Sequence, residues 1–294
     1  MEIRQLNTFL KVVQLQSFSK AAQELGYSQS AVTIQIQILE RELDTRLFDR
    51  MGKKVTLTLP GKQFLTYATN ILNQVCEAQA ALGKSESLEH TLHIGTIESL
   101  CFFKFPTILQ YFYKNHPHIS IKITTASPTE LIEMMEHNLV DIIYILDRPL
   151  YNNNWVKVIE QQEYIVFVSS PRSPLAKQSA LTLEDLLGER FFLTEKGDNY
   201  RYGLEQHLAS RNLSLTPFLE VGHTEFIMNM VKHNLGLSFL PHFAVSESVL
   251  RQELSILNVT DFQMSMSRQI FYHKEKWLTE EMKEFIRLAN LGMV

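Results

Sequence analysis

The stretch SFSKAAQELGYSQSAVTIQIQILERELDTRLFDR, residues 17–50, decides the fold of the first part of the chain. It predicts two short helices joined by a sharp turn. The first is expected to begin after the N-cap Ser19 and to end at Leu25, before Gly26. Ser28 then caps a second helix, which buries one apolar face: Val32, Ile36, Leu39 and Leu43. Its outward face is polar, uncharged and suited to base edges in a DNA major groove: Ser28, Gln29, Ser30, Thr33 and Gln37.

This stretch resembles the LysR-type transcriptional regulators. Their pattern F-x-x-A-A-x-x-L-x-x-S-Q-[SP]-A-[VL]-[ST]-x-x-I-x-x-L-E-x-x-L-x-x-x-L-F-x-R is matched in register from Phe18 to Arg50. Ile34 departs from it, since many members carry a polar or basic residue there. The alternative is a helix pair that only packs inside a larger helical domain, but a lone pair would not need the whole pattern. The resemblance implies a regulator that binds double-stranded promoter DNA.

The basic residues concentrate near the second helix. Residues 1–58 hold 8 Lys or Arg against 6 Asp or Glu, whereas the remainder holds 20 against 26. Arg50, Lys53 and Lys54 precede the alternating residues 55–58, a pattern that predicts a two-stranded wing with basic side chains directed at DNA phosphates. A solvated hairpin without a partner is the alternative interpretation.

A long helix is expected to start near Thr58, with Pro60 in its first turn. Apolar residues repeat along it at heptad spacing: Phe64, Ala68, Ile71, Val75, Ala78 and Leu82. A helix of roughly 25 residues is nearly 40 Å long, so its seam is expected to need a partner helix. The family resemblance implies that this helix pairs with its copy in a homodimer. Cys76 is expected to be a small buried residue in preference to a regulatory disulfide, and residues 83–87 predict a hinge.

From about Thr91, predicted strands alternate with helices, which indicates an α/β domain with a mostly parallel sheet. The resemblance implies an effector-binding domain of two α/β subdomains similar to periplasmic solute-binding proteins, and homodimers that assemble into a homotetramer. The expected division is a winged helix-turn-helix over 1–58, a linker helix and hinge over 59–88, and an effector domain over 89–294. Subdomain I would comprise 89–161 and 268–294, and subdomain II 162–267. The chain would cross near 160–163 and return near 265–269.

Ligands on open parallel sheets bind where strands end and helices begin. Three segments of this kind, with Thr194 beside the last, supply the effector-site candidates: Thr96, Glu98, Ser99, Ser127, Thr129, Thr194, His223 and Thr224. The resemblance implies that Ser99, Ser127 and Thr224 line the cleft. Ser127 is expected first to cap a helix in a capping box with Glu130, and His223 first to be structural. Glu98 would repel an anionic effector, so the charge class of the ligand stays open.

The remaining composition bounds the function. The 294 residues are 45% hydrophobic, without a run of transmembrane length or a signal peptide, so a cytoplasmic protein with no membrane partner is expected. Cys76 and Cys101 form no disulfide framework, Cys101 is expected in apolar surroundings, and the histidines lack zinc-site spacing, so neither metal nor cofactor is expected. A bifunctional enzyme and an interaction protein that has lost DNA binding are the alternatives. The sequence lacks a Gly-rich nucleotide loop and a GxSxG motif, which favours binding without catalysis.

Overall fold

The computed structural model describes residues 1–51, 54–81 and 91–291. The first part of the chain forms three helices, a two-stranded ribbon and a long helix. In chain order these are α1 (Ile3–Leu15), α2 (Phe18–Leu25), α3 (Gln29–Glu42), β1 (Phe48–Met51), β2 (Lys54–Leu57) and α4 (Leu59–Ala81). The predicted hinge over 83–87 lies outside the described residues.

The start of α2 corrects the sequence prediction. Its N-cap is Ser17, whose hydroxyl accepts a hydrogen bond from the Lys20 N–H at 3.3 Å, and not Ser19. The earlier start makes Phe18 the first helical residue and buries it against Phe48, with ring centroids 5.6 Å apart. The end of α2 is as predicted, because Gly26 follows Leu25 with the left-handed φ of 70°. The predicted cap of α3 is also confirmed: Ser28 accepts from the Ala31 N–H.

The seam predicted on α4 is only partly free for a partner helix. Phe64 and Ala68 are buried in the core formed by α1–α3 and the ribbon, and Ile71 packs partly against the same core. The prediction that the whole seam needs a partner helix is therefore wrong for its first members, which their own chain covers. Val75 lies further along and is half-buried, whereas the Ala78 side chain and Leu82 lie outside what the structure describes.

The helix start explains this close packing. Thr58 caps α4 by accepting from the Gly61 N–H at 3.0 Å, as the sequence predicted. A Cβ atom on Gly61 would lie 2.0 Å from the Leu47 carbonyl oxygen, so only glycine lets α4 approach the chain before the ribbon.

The second part of the chain is a mixed α/β structure. Its strands are β3 (Thr91–Thr96), β4 (Ser120–Thr125), β5 (Ile142–Asp147), β6 (Trp155–Ser169), β7 (Phe192–Leu193), β8 (Leu219–Glu220), β9 (Ser238–Pro241), β10 (Ser255–Ile256) and β11 (Met264–His273). Its helices are α5 (Glu98–Phe103), α6 (Phe105–Asn115), α7 (Pro128–Glu136), α8 (Leu183–Leu187), α9 (Asn199–Ser210), α10 (Thr224–Lys232), α11 (His242–Leu250) and α12 (Glu280–Asn290).

The main sheet has the order β10-β6-β11-β5-β3-β4, with β9 also paired to β6. Strand β3 pairs in parallel with β4 and β5, and β7 with β8, but β6 and β11 pair antiparallel with all their neighbours. The expected mostly parallel sheet is therefore wrong for the middle of the main sheet. The reason is that the two segments predicted to cross between subdomains, near 160–163 and 265–269, belong to long strands that pair with each other. The predicted boundaries at 161 and 267 fall inside these strands and stay predictions.

This topology places five strand ends around one region. Strands β3, β4 and β5 end on one side, and the short strands β7 and β8 end on the other. The segments that follow them form the walls of a cavity. No helix in the described ranges is both long and apolar enough to cross a membrane.

Candidate functional site

The first candidate site is the outward face of α3. Val32, Ile36 and Leu39 are buried completely in the N-terminal core, which fixes the rotation of the helix. The polar residues predicted to contact bases then face away from that core: Ser28, Gln29, Ser30 and Gln37 are exposed, and Thr33 is half-buried. Local geometry therefore agrees with a face that can enter a groove, although contact with DNA stays a prediction.

Hydrogen bonds order this face before any ligand binds. The Gln29 side-chain carbonyl accepts from the Ser19 hydroxyl at 2.8 Å, which joins α3 to α2. The Ser28 and Ser30 hydroxyls lie 2.9 Å apart, and the Thr33 hydroxyl donates to the Gln29 backbone carbonyl. These hydrogen bonds restrict the rotamers of the side chains that make them, so less conformational entropy would be lost when the face binds DNA.

Ile34 departs from the family pattern, and its position in the sequence does not reveal a role. The structure places Ile34 on the outward face of α3 with 54% of its surface exposed, and Ile38 one turn later is also exposed. Neither contributes to the buried core. Apolar side chains on such a face can contact the methyl group of thymine.

The ribbon β1–β2 follows α3 directly and is the predicted wing. Its register pairs Phe48 with Leu57 and Arg50 with Val55, and Lys54 opposes Met51. Glu40 of α3 accepts hydrogen bonds from the N–H groups of Leu47 and Phe48, which anchors the ribbon to the helix. Arg50 and Lys54 therefore stand on neighbouring strands beside α3, whereas Lys53 lies outside the described residues.

The second candidate site is a cavity of about 530 Å³ in the C-terminal part. Its walls are the segments that follow β3, β4, β7 and β8, together with the start of α9. Such a position at strand ends is where open α/β sheets bind ligands, and the volume suits a small organic molecule. The lining residues are Ile97, Glu98, Ser99, Thr125, Ala126, Ser127, Pro128, Glu130, Leu146, Thr194, Glu195, Asp198, Asn199, Tyr200, Val221, Gly222, His223 and Thr224.

Six of the eight predicted effector residues meet in this cavity: Glu98, Ser99, Ser127, Thr194, His223 and Thr224. The other two are not among its lining. Thr96 is buried and donates its hydroxyl to the Tyr144 carbonyl at 2.8 Å, so it links β3 to β5. Thr129 is exposed on α7. The capping box predicted for Ser127 and Glu130 is present, and Ser127 lines the cavity as well.

Glu98 connects the two walls of the cavity. Its carboxylate accepts from the Thr224 N–H at 3.3 Å and from the Thr224 hydroxyl at 2.9 Å. The His223 Nδ1 atom lies 3.9 Å from the same carboxylate, on a side chain that is 74% exposed. No side chain caps α10 from its own N-cap position, so Glu98 supplies the missing acceptor from across the cavity.

The lining also includes Asp198, Asn199 and Tyr200, which no sequence pattern predicted, and Glu195 next to the predicted Thr194. Asp198 and Tyr200 are held at the start of α9, where burial raises the pKa of each. Asn199 donates its side-chain amide to the Leu146 carbonyl at 2.8 Å, which ties α9 to the end of β5. The only local signal for this segment was the start of a predicted helix after a predicted strand.

Cys101 lies in partly buried surroundings. Burial, with a smaller contribution from nearby Glu98, raises the pKa of the Cys101 thiol, in line with the apolar surroundings expected for it. Within 1–51, 54–81 and 91–291, no three His, Cys, Asp or Glu side chains converge in a way that could hold a metal ion.

Comparison with known proteins identifies the family. The model of the bacterial regulatory helix-turn-helix protein, lysR family, matches residues 3–62, and that of the LysR substrate binding domain matches residues 85–291. The chain belongs to the LysR family of transcriptional regulators. It therefore combines a helix-turn-helix with an effector-binding domain, as the resemblance implied.

Full-length relatives agree with this LysR-family assignment. The uncharacterized HTH-type transcriptional regulator YwqM of Bacillus subtilis is 32% identical over 292 residues, covering 99% of each chain. The HTH-type transcriptional regulator GltR of the same organism is 28% identical, covering 97% of this chain and 95% of the relative.

Two solved structures support the fold. A full-length variant of OxyR from Pseudomonas aeruginosa is 20% identical and superposes with a TM-score of 0.74, covering 99% of this chain and 95% of that one. DarR of Vibrio fischeri, solved in complex with DNA, is 18% identical with a TM-score of 0.55, covering 99% of each chain. At these identities the likeness concerns the fold of the LysR-family chain.

Proposed function

We propose that this LysR-family chain binds promoter DNA by inserting α3 into the major groove. Gln29, Ser30 and Thr33 contact base edges, with Ser28 and Gln37 at the borders of the same face. Ile34 adds an apolar contact to thymine methyl groups. The wing residues Arg50, Lys53 and Lys54 contact the phosphates, which sets affinity more than sequence preference. The polar, ordered and exposed face of α3 carries this proposal.

The cavity is the site of the effector in this proposal. Six predicted residues lie around a volume suited to a small molecule, and they come from segments far apart in the sequence. The two walls can lie close together or further apart, and a ligand that contacts both walls favours the close arrangement. The ligand shifts this equilibrium only by the difference between its affinities for the close and the open arrangement. The effector acts by binding, without a catalytic step.

Assembly and location complete the proposal. Pairing through the outer part of α4 gives a homodimer that spans two half-sites, and the family resemblance supports a homotetramer. The expected location is the cytoplasm, because promoter DNA lies there in the bacteria that supply the relatives.

The test uses the full-length protein and a gel shift on the DNA upstream of its own coding region, at two salt concentrations. Compounds that raise its melting temperature are added, and the ratio of DNA affinities with and without each compound is measured. In Ser99→Ala, the compound should no longer change the affinity for DNA, because Ser99 is buried, with 4% of its surface exposed, and lines the cavity. Ser179→Ala, exposed and outside the cavity lining, is the matched control. An active compound that acts equally on wild type and Ser99→Ala would contradict this assignment of the site.

A further inference from the structure

The side chains with formal charge that line the cavity are all acidic, His223 apart. Four carboxylates line it, and they come from both walls: Glu98 and Glu130 on one side, Glu195 and Asp198 on the other. The described lining residues include neither Lys nor Arg. His223 is the one imidazole among them, and its side chain is mostly exposed to solvent. An anionic ligand would therefore enter against repulsion with little to offset it.

Two of the helix N-termini at the cavity, those of α7 and α10, are already covered by the chain's own carboxylates, whereas the starts of α5 and α9 have no side-chain cap. At α7, the Ser127 N–H and hydroxyl both donate to Glu130, at 3.0 and 2.7 Å. At α10, the Thr224 N–H and hydroxyl both donate to Glu98. An anionic effector would have to displace a carboxylate from either position before it gained the helix-terminal hydrogen bonds.

The guanidinium group of Arg201, whose charge acts on Asp198, is also occupied. Arg201 is buried and pairs with Glu205 at 2.9 Å and with Glu220 at 2.7 Å, and it donates to the Thr194 carbonyl. Its donors therefore point to groups outside the cavity lining or to backbone. Arg201 does not supply the positive charge that an anionic ligand would need.

The wall that contains Thr194 and Asp198 has polar groups that lack a full set of hydrogen-bond or charge partners in the described chain. Asp198 is partly buried, and its carboxyl pKa is raised by burial and by the charges of Glu195 and Glu98. The Thr194 hydroxyl lies close enough to Asp198 and Tyr200 to lower the pKa of both, yet it is buried without a well-aligned hydrogen bond in the described chain. A ligand with N–H donors and a positive charge would satisfy both features at once.

We propose that the effector is a small organic cation, with a protonated amine or a guanidinium group held between Glu98, Glu195 and Asp198. This inference rests on the proposed function of the cavity as the effector site. An organic cation fits better than a bare metal ion, because the described acids are spread around about 530 Å³ and form no group of metal-binding geometry. The bound cation would also compete with Thr224 for the Glu98 carboxylate and so weaken the hydrogen bonds between Glu98 and Thr224.

The first test is calorimetric titration of the full-length protein with three classes of compound of similar length. These are 1,4-diaminobutane with its guanidino analogue agmatine, the dianion succinate, and neutral 1,4-butanediol. We expect the two cations to bind and the other two not to bind. The double variant Glu195→Gln, Asp198→Asn should weaken the cations about tenfold, in the upper range for partly exposed ion pairs. Glu189→Gln, exposed and outside the cavity, should leave their affinity unchanged.

The outcomes separate this inference from the proposed function. Succinate binding that Ser99→Ala abolishes would overturn the charge inference and leave the cavity as the effector site. Cation binding that the double variant does not weaken would place the cations elsewhere and overturn the charge inference, whereas the proposed function falls only if Ser99→Ala leaves the effector response intact.

A second measurement needs no effector. Thr125 is exposed and lines the cavity, so Thr125→Cys introduces a thiol there with little change of shape. The rates at which this thiol reacts with a cationic and with an anionic methanethiosulfonate are measured, and the rates of the wild-type protein are subtracted. The ratio of the two corrected rates is then compared with the same ratio for a free thiol in solution. We expect the cationic reagent to be favoured about tenfold, and the preference to shrink when Glu195 and Asp198 are neutralised. A ratio equal to that of the free thiol would overturn the inference, even if no compound in the titration binds.

Discussion

Glu98 and Thr224 are joined across the cavity by two hydrogen bonds, although 126 positions separate them in the sequence. Glu98 follows the first strand of the C-terminal part, and Thr224 begins α10 on the opposite wall. The carboxylate thus performs the capping role that the residues next to α10 leave open. In the proposed function, a ligand in the cavity must coexist with this contact or replace it, so the pair would couple ligand binding to the distance between the walls.

The contribution of this contact can be measured with Thr224→Val, which removes the hydroxyl and keeps the volume. Thr224 is 2% exposed, so we expect a loss of about 1.5–3 kcal/mol, the range for a hydrogen bond to a charged group, and a lower melting temperature. Thr129→Val is the control, since Thr129 is exposed on α7. Equal melting temperatures for the two variants would show that the Thr224 hydroxyl adds nothing to stability.

The effect of pH follows from Asp198. Its folded-state pKa is raised by burial first and by Glu195 and Glu98 among the smaller causes, so ionisation is harder in the folded protein. Its contribution to stability is therefore fully present below the unfolded pKa and is lost as pH rises through the folded value. Asp198→Asn should raise the melting temperature at pH 7.5, with a smaller gain at pH 4. A lower melting temperature for the variant at pH 7.5 would contradict this account.

The features that the sequence predicted well are those fixed by neighbouring residues. The α3 cap at Ser28 and the end of α2 at Gly26 depend on local hydrogen bonds and backbone geometry, and both are confirmed. Ser17 and Ser19 are both suitable caps, and the choice depends on burying Phe18 against Phe48, a contact between distant segments.

The features that the sequence did not predict depend on tertiary contacts. Asp198 and Glu195 reach the cavity only because the segment after β7 lies opposite the segment after β3. No local pattern marks that approach. The antiparallel pairing of β6 with β11 likewise joins residues more than 90 positions apart, from Trp155 with His273 to Ile165 with Met264.

Assembly is tested by Val75→Asp on the outer part of α4. Phe64 and Ala68 are already buried in their own chain, so Val75 is the better probe of a partner helix. A buried unpaired charge costs about 3–5 kcal/mol, and the dimer should dissociate in sedimentation velocity at micromolar concentration. Gln74→Asp, one residue earlier and exposed, should sediment like wild type. If Val75→Asp also sediments like wild type, α4 does not pair through this face.

The role of the wing is tested by Lys53→Ala. A lysine that contacts a phosphate adds affinity without sequence preference, so specific and scrambled DNA should both bind more weakly. The slope of log affinity against log salt should become shallower by about one for each phosphate that the variant no longer neutralises. Lys177→Ala, on an exposed site in the C-terminal part, should change neither quantity. An unchanged salt slope for Lys53→Ala would show that Lys53 does not bind a phosphate.

The central claim is that α3 reads DNA sequence, and Gln29→Ala tests it most directly. Genomic fragments selected by the wild-type protein provide the specific site, and fluorescence anisotropy then compares that site with a scrambled one. We expect Gln29→Ala to lose about 1–3 kcal/mol on the selected site only, and Gln14→Ala, exposed on α1, to lose nothing on either DNA. Equal losses by Gln29→Ala on selected and scrambled DNA, or a wild-type protein that does not distinguish them, would contradict the account.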